Sequence, residues 1–259
     1  MQDADRSHAH RRMTLCRVHI ISSVPTPRYS ARQTLLFDAD DTLWENNIYF
    51  ERAIAAFISY LDHRVHTREE VREHLNRCER ANIAKHGYGV KSFRRSLVDC
   101  FEQLTAEPVT AERHARIVAF AQAIASQEIE LLPDVEPTLR TLAERHRLVL
   151  VTKGDRVEQL DKLERSGLSR WFEAIEVPAE KHEAMYRDLA TRHSCDPRVT
   201  WMIGNSPRSD VNPALAAGFH AVFIPHDFTW ILEHEVIAAP APSQTLLQLR
   251  RFADLAIHF

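Results

Sequence analysis

Four short polar clusters in this chain carry residue types that handle phosphate. Asp38-Ala39-Asp40-Asp41-Thr42 follows the apolar run Leu35-Leu36-Phe37, and Thr152-Lys153-Gly154 follows Val149-Leu150-Val151. Lys181 precedes a helical pattern, and Gly204-Asn205-Ser206 stands just ahead of Asp210. Carboxylates and an amide oxygen suit a hard cation such as Mg²⁺. A cation, a lysine and a hydroxyl together clamp a phosphoryl group, whose charge spreads over several oxygens. One carboxylate can then attack phosphorus once its repulsion with the ester is offset. A second, two residues on, can protonate the leaving alcohol and later activate water. Each cluster also has a plainer reading. An Asp after a strand caps the next helix, Thr152 can be a core hydroxyl, and Lys181 a solvated helix charge. What sets them apart is their joint position.

That position depends on the elements around them. Residues 34–38, 147–152, 174–177, 199–203 and 221–224 are short apolar runs of strand type. From Pro133 onward they alternate with helical patterns near 134–145, 155–166, 180–193 and 211–217. Such alternation predicts an α/β fold, a Rossmann-like doubly wound parallel sheet covered on both faces. Ligands of these sheets bind at the carboxyl ends of the strands, where the clusters fall. Residues 243–257, with Leu246, Leu249, Phe252 and Leu255, read as a final packed helix. Between the first two strands lies a stretch of helical periodicity, with a break at His86-Gly87-Tyr88-Gly89. The predicted organisation is a basic tail over 1–33, an α/β core over 34–45 and 131–259, and an all-helical cap over 46–130.

Composition narrows the function. The 259 residues carry 33 Lys+Arg against 36 Asp+Glu, a net charge of −3. Nucleic-acid binding would rest only on the tail, which holds six arginines against two aspartates. No run approaches the ~20 apolar residues of a membrane span. The four cysteines form no C-x-x-C pair and fit a reducing cytoplasm. His8 with His10, and His63 with His66, read as solvated, since no third ligand sits nearby.

The ordered set Leu-Phe-Asp38-Ala-Asp40-Asp41-Thr42-Leu, Val-Thr152-Lys-Gly, Lys181 and Gly204-Asn205-Ser-Pro-Arg-Ser-Asp210 resembles the haloacid dehalogenase-like (HAD) hydrolase superfamily. The likeness is to its phosphatase branch, with a helical cap inserted after the first motif, and covers about 34–228. It implies a Mg²⁺-dependent phosphatase acting on a small phosphorylated metabolite through an aspartyl-phosphate. By the same resemblance Asp38 is the nucleophile and Asp40 the general acid/base, with its backbone carbonyl on the metal. Thr152, the Lys153 backbone N–H and Lys181 hold the phosphoryl group, and Asp38, Asn205 and Asp210 complete the metal shell. Two positions depart from the pattern. Asp41 stands where Gly is usual and would face the cap hinge or a helix N-terminus, and Asn205 stands where Asp is common. The dehalogenase branch typically lacks the second Asp, so Asp40 argues against it. A phosphomutase of the same fold and a non-catalytic phosphate-binding protein remain as alternatives.

In the cap, Tyr88, Lys91 and Arg94 are candidate substrate contacts, or else Lys91 and Arg94 form a solvated basic face with Phe93 in the core. Trp44, Glu45 and Asn46 line the pocket or form the hinge. His226–Trp230 packs beneath the cap or in the core.

Overall fold

A computed structural model describes residues 27–61, 65–105 and 109–259. Its centre is a six-stranded, all-parallel sheet. The strands are β1 (Thr34–Phe37), β2 (Arg147–Val151), β3 (Ala174–Glu176), β4 (Thr200–Gly204), β5 (His220–Phe223) and β6 (Leu246–Gln248), in the order β3-β2-β1-β4-β5-β6. The period-two pleat divides their apolar residues between two cores. Leu35, Phe37, Leu148, Leu150, Trp201 and Ile203 face one, which α5 (Val135–Ala143) and α6 (Arg156–Ser166) cover. Leu36, Val149, Val151 and Met202 face the other, beneath α7 (Glu183–Arg192) and α8 (Asn212–Ala216). Burial on both faces explains why these strands read as continuous apolar runs.

Four helices intervene between β1 and β2: α1 (Asn47–Leu61), α2 (Arg68–His86), α3 (Val90–Thr105) and α4 (Ala111–Ala125). They enclose a core of their own, built on Phe57, Leu75, Phe93, Leu97, Phe101 and Ile117. Thr67 and Glu70 form a reciprocal capping box at the start of α2, and Gly87 ends that helix at φ 74°. The insert joins the sheet through two adjacent segments. Trp44 bridges Leu131, Glu45 N donates to Glu130 O (2.9 Å), and Leu132 N donates to Leu43 O (2.9 Å).

Two expectations change. Residues 243–257 do not form one helix. Leu246–Gln248 is instead the edge strand β6, Leu249 N donates to Phe223 O (3.0 Å), and only α9 (Leu255–His258) is α-helical. Leucines at 246, 247 and 249 fit a short strand beside β5 as well as a helix stripe, and the exposed backbone edge of β5 decides the matter. The tail boundary also moves. Tyr29 lies against Trp201, with ring centroids 4.7 Å apart, and stacks on Phe259, so the chain is docked from there onward. Residues 1–26 of the basic tail, Cys16 and His63 lie outside the described residues.

Candidate active site

The four clusters meet at the carboxyl ends of β1, β2 and β4, on either side of the central strand. Lys181 is almost wholly buried and donates to Asp38 Oδ1 (2.5 Å) and Asp210 Oδ1 (2.8 Å). Burial works hardest against its ammonium, yet Asp210 and Asp38 together hold its pKa above the usual lysine range. Burial, with Asp38 adding its charge, pushes Asp210 up to about 7 despite Lys181. One lysine faces two carboxylates here. Thr42 Oγ1 lies 3.1 Å from Asp38 Oδ2 and 3.3 Å from Asn205 Oδ1, which draws those oxygens together. Asp210 Oδ2 accepts from Ser206 N (3.0 Å). Gly204 makes room for it, since a Cβ there would come 2.1 Å from that oxygen. Two carboxylates beside an amide oxygen fit a hard divalent cation. Asp38, Asn205, Asp210 and the Asp40 carbonyl are the residues that could hold it.

Asp40 is held differently. Its carboxylate accepts from Trp44 Nε1 (2.7 Å), Gln159 Nε2 (3.0 Å) and Lys162 Nζ (2.5 Å). Burial is the largest influence and raises its pKa, but Lys162, Gln159 and Trp44 outweigh it and keep the carboxyl below its ordinary range. Gln159 also accepts from Thr152 Oγ1 (3.2 Å), so one side chain ties the second motif to the first.

Asp41 sits at φ 59°, in the left-handed region, which accounts for glycine as the usual residue there. Aspartate tolerates this conformation, and its Oδ1 accepts from Asn46 N (2.9 Å) and Asn47 N (3.0 Å), at the start of α1. Burial pushes its carboxyl up to about 7. The departure at 41 thus ties the first motif to the helix that opens the insert. Asp41, Glu45 and His226 also bring one ligand atom each within 4.8 Å of one another, a grouping separate from Asp38 and Asp210.

Lys153 turns its side chain from the strand ends to Ser209 Oγ (2.7 Å) and Glu233 Oε1 (2.5 Å), with its ammonium 4.5 Å from the Tyr88 ring centroid. Tyr88 does reach the site: it lines the cavity and donates to Glu180 on the sheet side. Lys91 and Arg94 do not. Both are exposed on α3 and neither lines the cavity, while Phe93 is buried in the insert. They form the solvated face. The buried face of α3 is formed by Ser92, Phe93, Ser96, Leu97, Cys100 and Phe101, which leaves 91 and 94 outside it. Trp44 is fully buried at the junction, while Glu45 and Asn46 line the cavity. Trp230 packs edge-on to Tyr88, and Phe228 O accepts from Asn47 Nδ2 (2.7 Å), so this loop supports the insert.

Sequence reasoning missed Gln159, Lys162 and Glu233. Gln159 and Lys162 stand three apart on α6, one face of a helix that starts beside the second motif. That spacing was the available signal. Glu233 closes the short 3-10 turn Ile231–Glu233, which has no periodic signal to mark it.

The sequence profile of the haloacid dehalogenase-like hydrolases matches residues 33–218. The chain belongs to this hydrolase family. A solved HAD-like hydrolase from Xanthomonas campestris is 30% identical, with a TM-score of 0.73 over 88% of this chain and 94% of its own. The N-acylneuraminate-9-phosphatase of Rattus norvegicus is 26% identical over 200 residues, 73% of this chain and 80% of the rat protein. Its Homo sapiens counterpart is 24% identical over 224 residues. The L-2-haloacid dehalogenase of Xanthobacter autotrophicus shares the HAD fold (TM-score 0.59) at 16% identity.

Proposed function

We propose that this HAD-like hydrolase is a Mg²⁺-dependent phosphatase that hydrolyses a small phosphomonoester through an aspartyl-phosphate at Asp38. The observation that carries this reading is the pair of separately held carboxylates. Asp38 is fixed by Lys181 and Thr42, and Asp40 by Lys162, Gln159 and Trp44. One can act as nucleophile while the other moves protons. Mg²⁺, when bound by Asp38, Asp210, Asn205 and the Asp40 carbonyl, would neutralise phosphoryl charge.

Lys181 orients the Asp38 carboxylate and meets the incoming phosphoryl oxygens. Thr152 Oγ1 exchanges its bond to Gln159 for one to phosphate. Asp40 is a carboxylate in the resting site. A phosphate dianion alongside opposes the field of Lys162 and raises the affinity of Asp40 for the proton that the leaving alcohol then takes. After the alcohol departs, Asp40 as carboxylate removes a proton from the water that attacks the acyl phosphate. The four-helix insert, packed over the strand ends, is the cap that excludes bulk water.

Phosphate release from a panel of esters, with Mg²⁺ and with chelator, tests the reading. The N-acylneuraminate 9-phosphate of the mammalian relatives belongs first in that panel. We expect metal-dependent release that Asp38→Asn abolishes with the fold intact. Release at the wild-type rate from that variant would remove Asp38 from the mechanism.

A further inference from the structure

The cavity above Asp38, about 260 Å³, extends into the insert. There its wall is mainly apolar, formed by Phe50, Ile54, Ile83, Phe93 and Ile124. Two polar side chains in that wall have an unpartnered atom. Glu79, on α2, is only 6% exposed, and its Oε2 has no hydrogen-bond partner. Ser92, on α3, is 3% exposed, and its Oγ also has none. Neighbouring polar groups are paired: Ser96 Oγ donates to Ser92 O (3.1 Å), and Asn82 Nδ2 donates to Asp99 Oδ2 (2.7 Å). Of the arginines on the same helix, Arg72 pairs through Nη2 with Glu51 (2.7 Å) while its buried Nη1 has no partner, and Arg77 and Arg80 lie beside Glu73. A buried carboxyl oxygen without a donor is costly, and burial pushes this carboxyl up to about 7. A ligand that brings a donor into the cavity would complement it.

We propose that Glu79 and Ser92 form an accepting subsite in the cap, which selects phosphomonoesters whose organic part presents a hydroxyl or ammonium group to it. This rests on the phosphatase reading and names the substrate class. The apolar wall takes the carbon skeleton, Glu79 Oε2 accepts the donor, and Ser92 Oγ adds a second bond. A negatively charged group at that position meets the carboxylate and is rejected.

The test compares ω-hydroxyalkyl, ω-aminoalkyl and ω-carboxyalkyl phosphates of graded chain length with plain alkyl phosphates of equal length, on the full chain with Mg²⁺. At one chain length the hydroxyl or amino ester should exceed the plain ester in kcat/KM by about tenfold or more, because a site built to bond a donor rejects the analogue lacking it. The carboxyalkyl ester should fall below the plain one. Glu79→Leu should bring the ratio to near unity, and Ser92→Ala should lower it. Which donor gains more tells hydroxyl from ammonium. Equal rates for donor-bearing and plain esters in the wild type would overturn the subsite, and so would a preference that survives Glu79→Leu. Calorimetric binding of the same esters to Asp38→Asn repeats the comparison without turnover. A binding preference with no phosphate release from any ester would sink the phosphatase reading and leave the subsite standing. Release with no preference would do the reverse.

Discussion

Asp40 and Lys162 meet at 2.5 Å in a partly buried pair, and the charge of the lysine decides which form the carboxyl takes at rest. If Asp40 moves the leaving-group proton, its loss should matter most when the alcohol is a poor leaving group. Asp40→Asn is expected to lower kcat on an alkyl phosphate by roughly 10²- to 10⁴-fold and to cost much less on nitrophenyl phosphate. Lys162→Met, which leaves the carboxylate held only by Gln159 and Trp44, should lower kcat on the alkyl ester by about tenfold with little change in KM. Steady-state kinetics on the two esters checks both. Asp38, Asp40, Lys181 and Asp210 were legible because each follows an apolar run or opens a helix in a fixed order. Lys162 was not, because a lysine on a helix face is ordinarily solvated and nothing local marks this one as turned inward.

The elements were legible where one force dominates. Strands β1, β2 and β4 are buried on both faces, so hydrophobicity alone outlines them. At the C-terminus two arrangements satisfy the same leucines, and a long-range backbone pairing settles between them, which no local pattern records. The opposite end of the sheet holds a group with a consequence for stability. His146, which precedes β2, accepts from Gln33 N through Nδ1 (3.1 Å). Burial, helped by Arg145 and Arg32, lowers its pKa from 6.5 to about 4. The unfolded chain therefore takes up a proton at a higher pH than the folded one. The contribution is intact above about pH 6.5 and is lost as pH falls toward 4, on the order of 3 kcal/mol in all. Urea midpoints across that range should fall with pH. His146→Asn, which keeps an acceptor for Gln33, should flatten that part of the slope without touching activity.

At the scale of the whole molecule, cation binding and folding are linked. A divalent ion that binds only the assembled strand ends stabilises the native state by about 2.7 kcal/mol at a hundred times its Kd. For a chain of this size that is a rise of roughly 5 °C in Tm. Calorimetry with Mg²⁺ and with chelator should show the difference, and Asp210→Asn should abolish it. An unchanged Tm in saturating Mg²⁺ would remove the cation from the site. The insert was legible as a helical block from its periodicity. Its approach to the sheet was not, because Tyr88 on Glu180 and Val90 N on Glu158 Oε2 (3.0 Å) join residues far apart in sequence.

The insert leaves and re-enters the sheet side by side, through Leu43–Glu45 and Glu130–Leu132. Those paired segments make the attachment modular. A chain carrying a longer, shorter or unrelated lobe at this point would meet the same two neighbouring ends, and one reduced to a tight turn could still close them. The inserted lobe can thus be exchanged or remodelled as a unit, while Asp38, Asp40 and Asp210 stay where the sheet puts them.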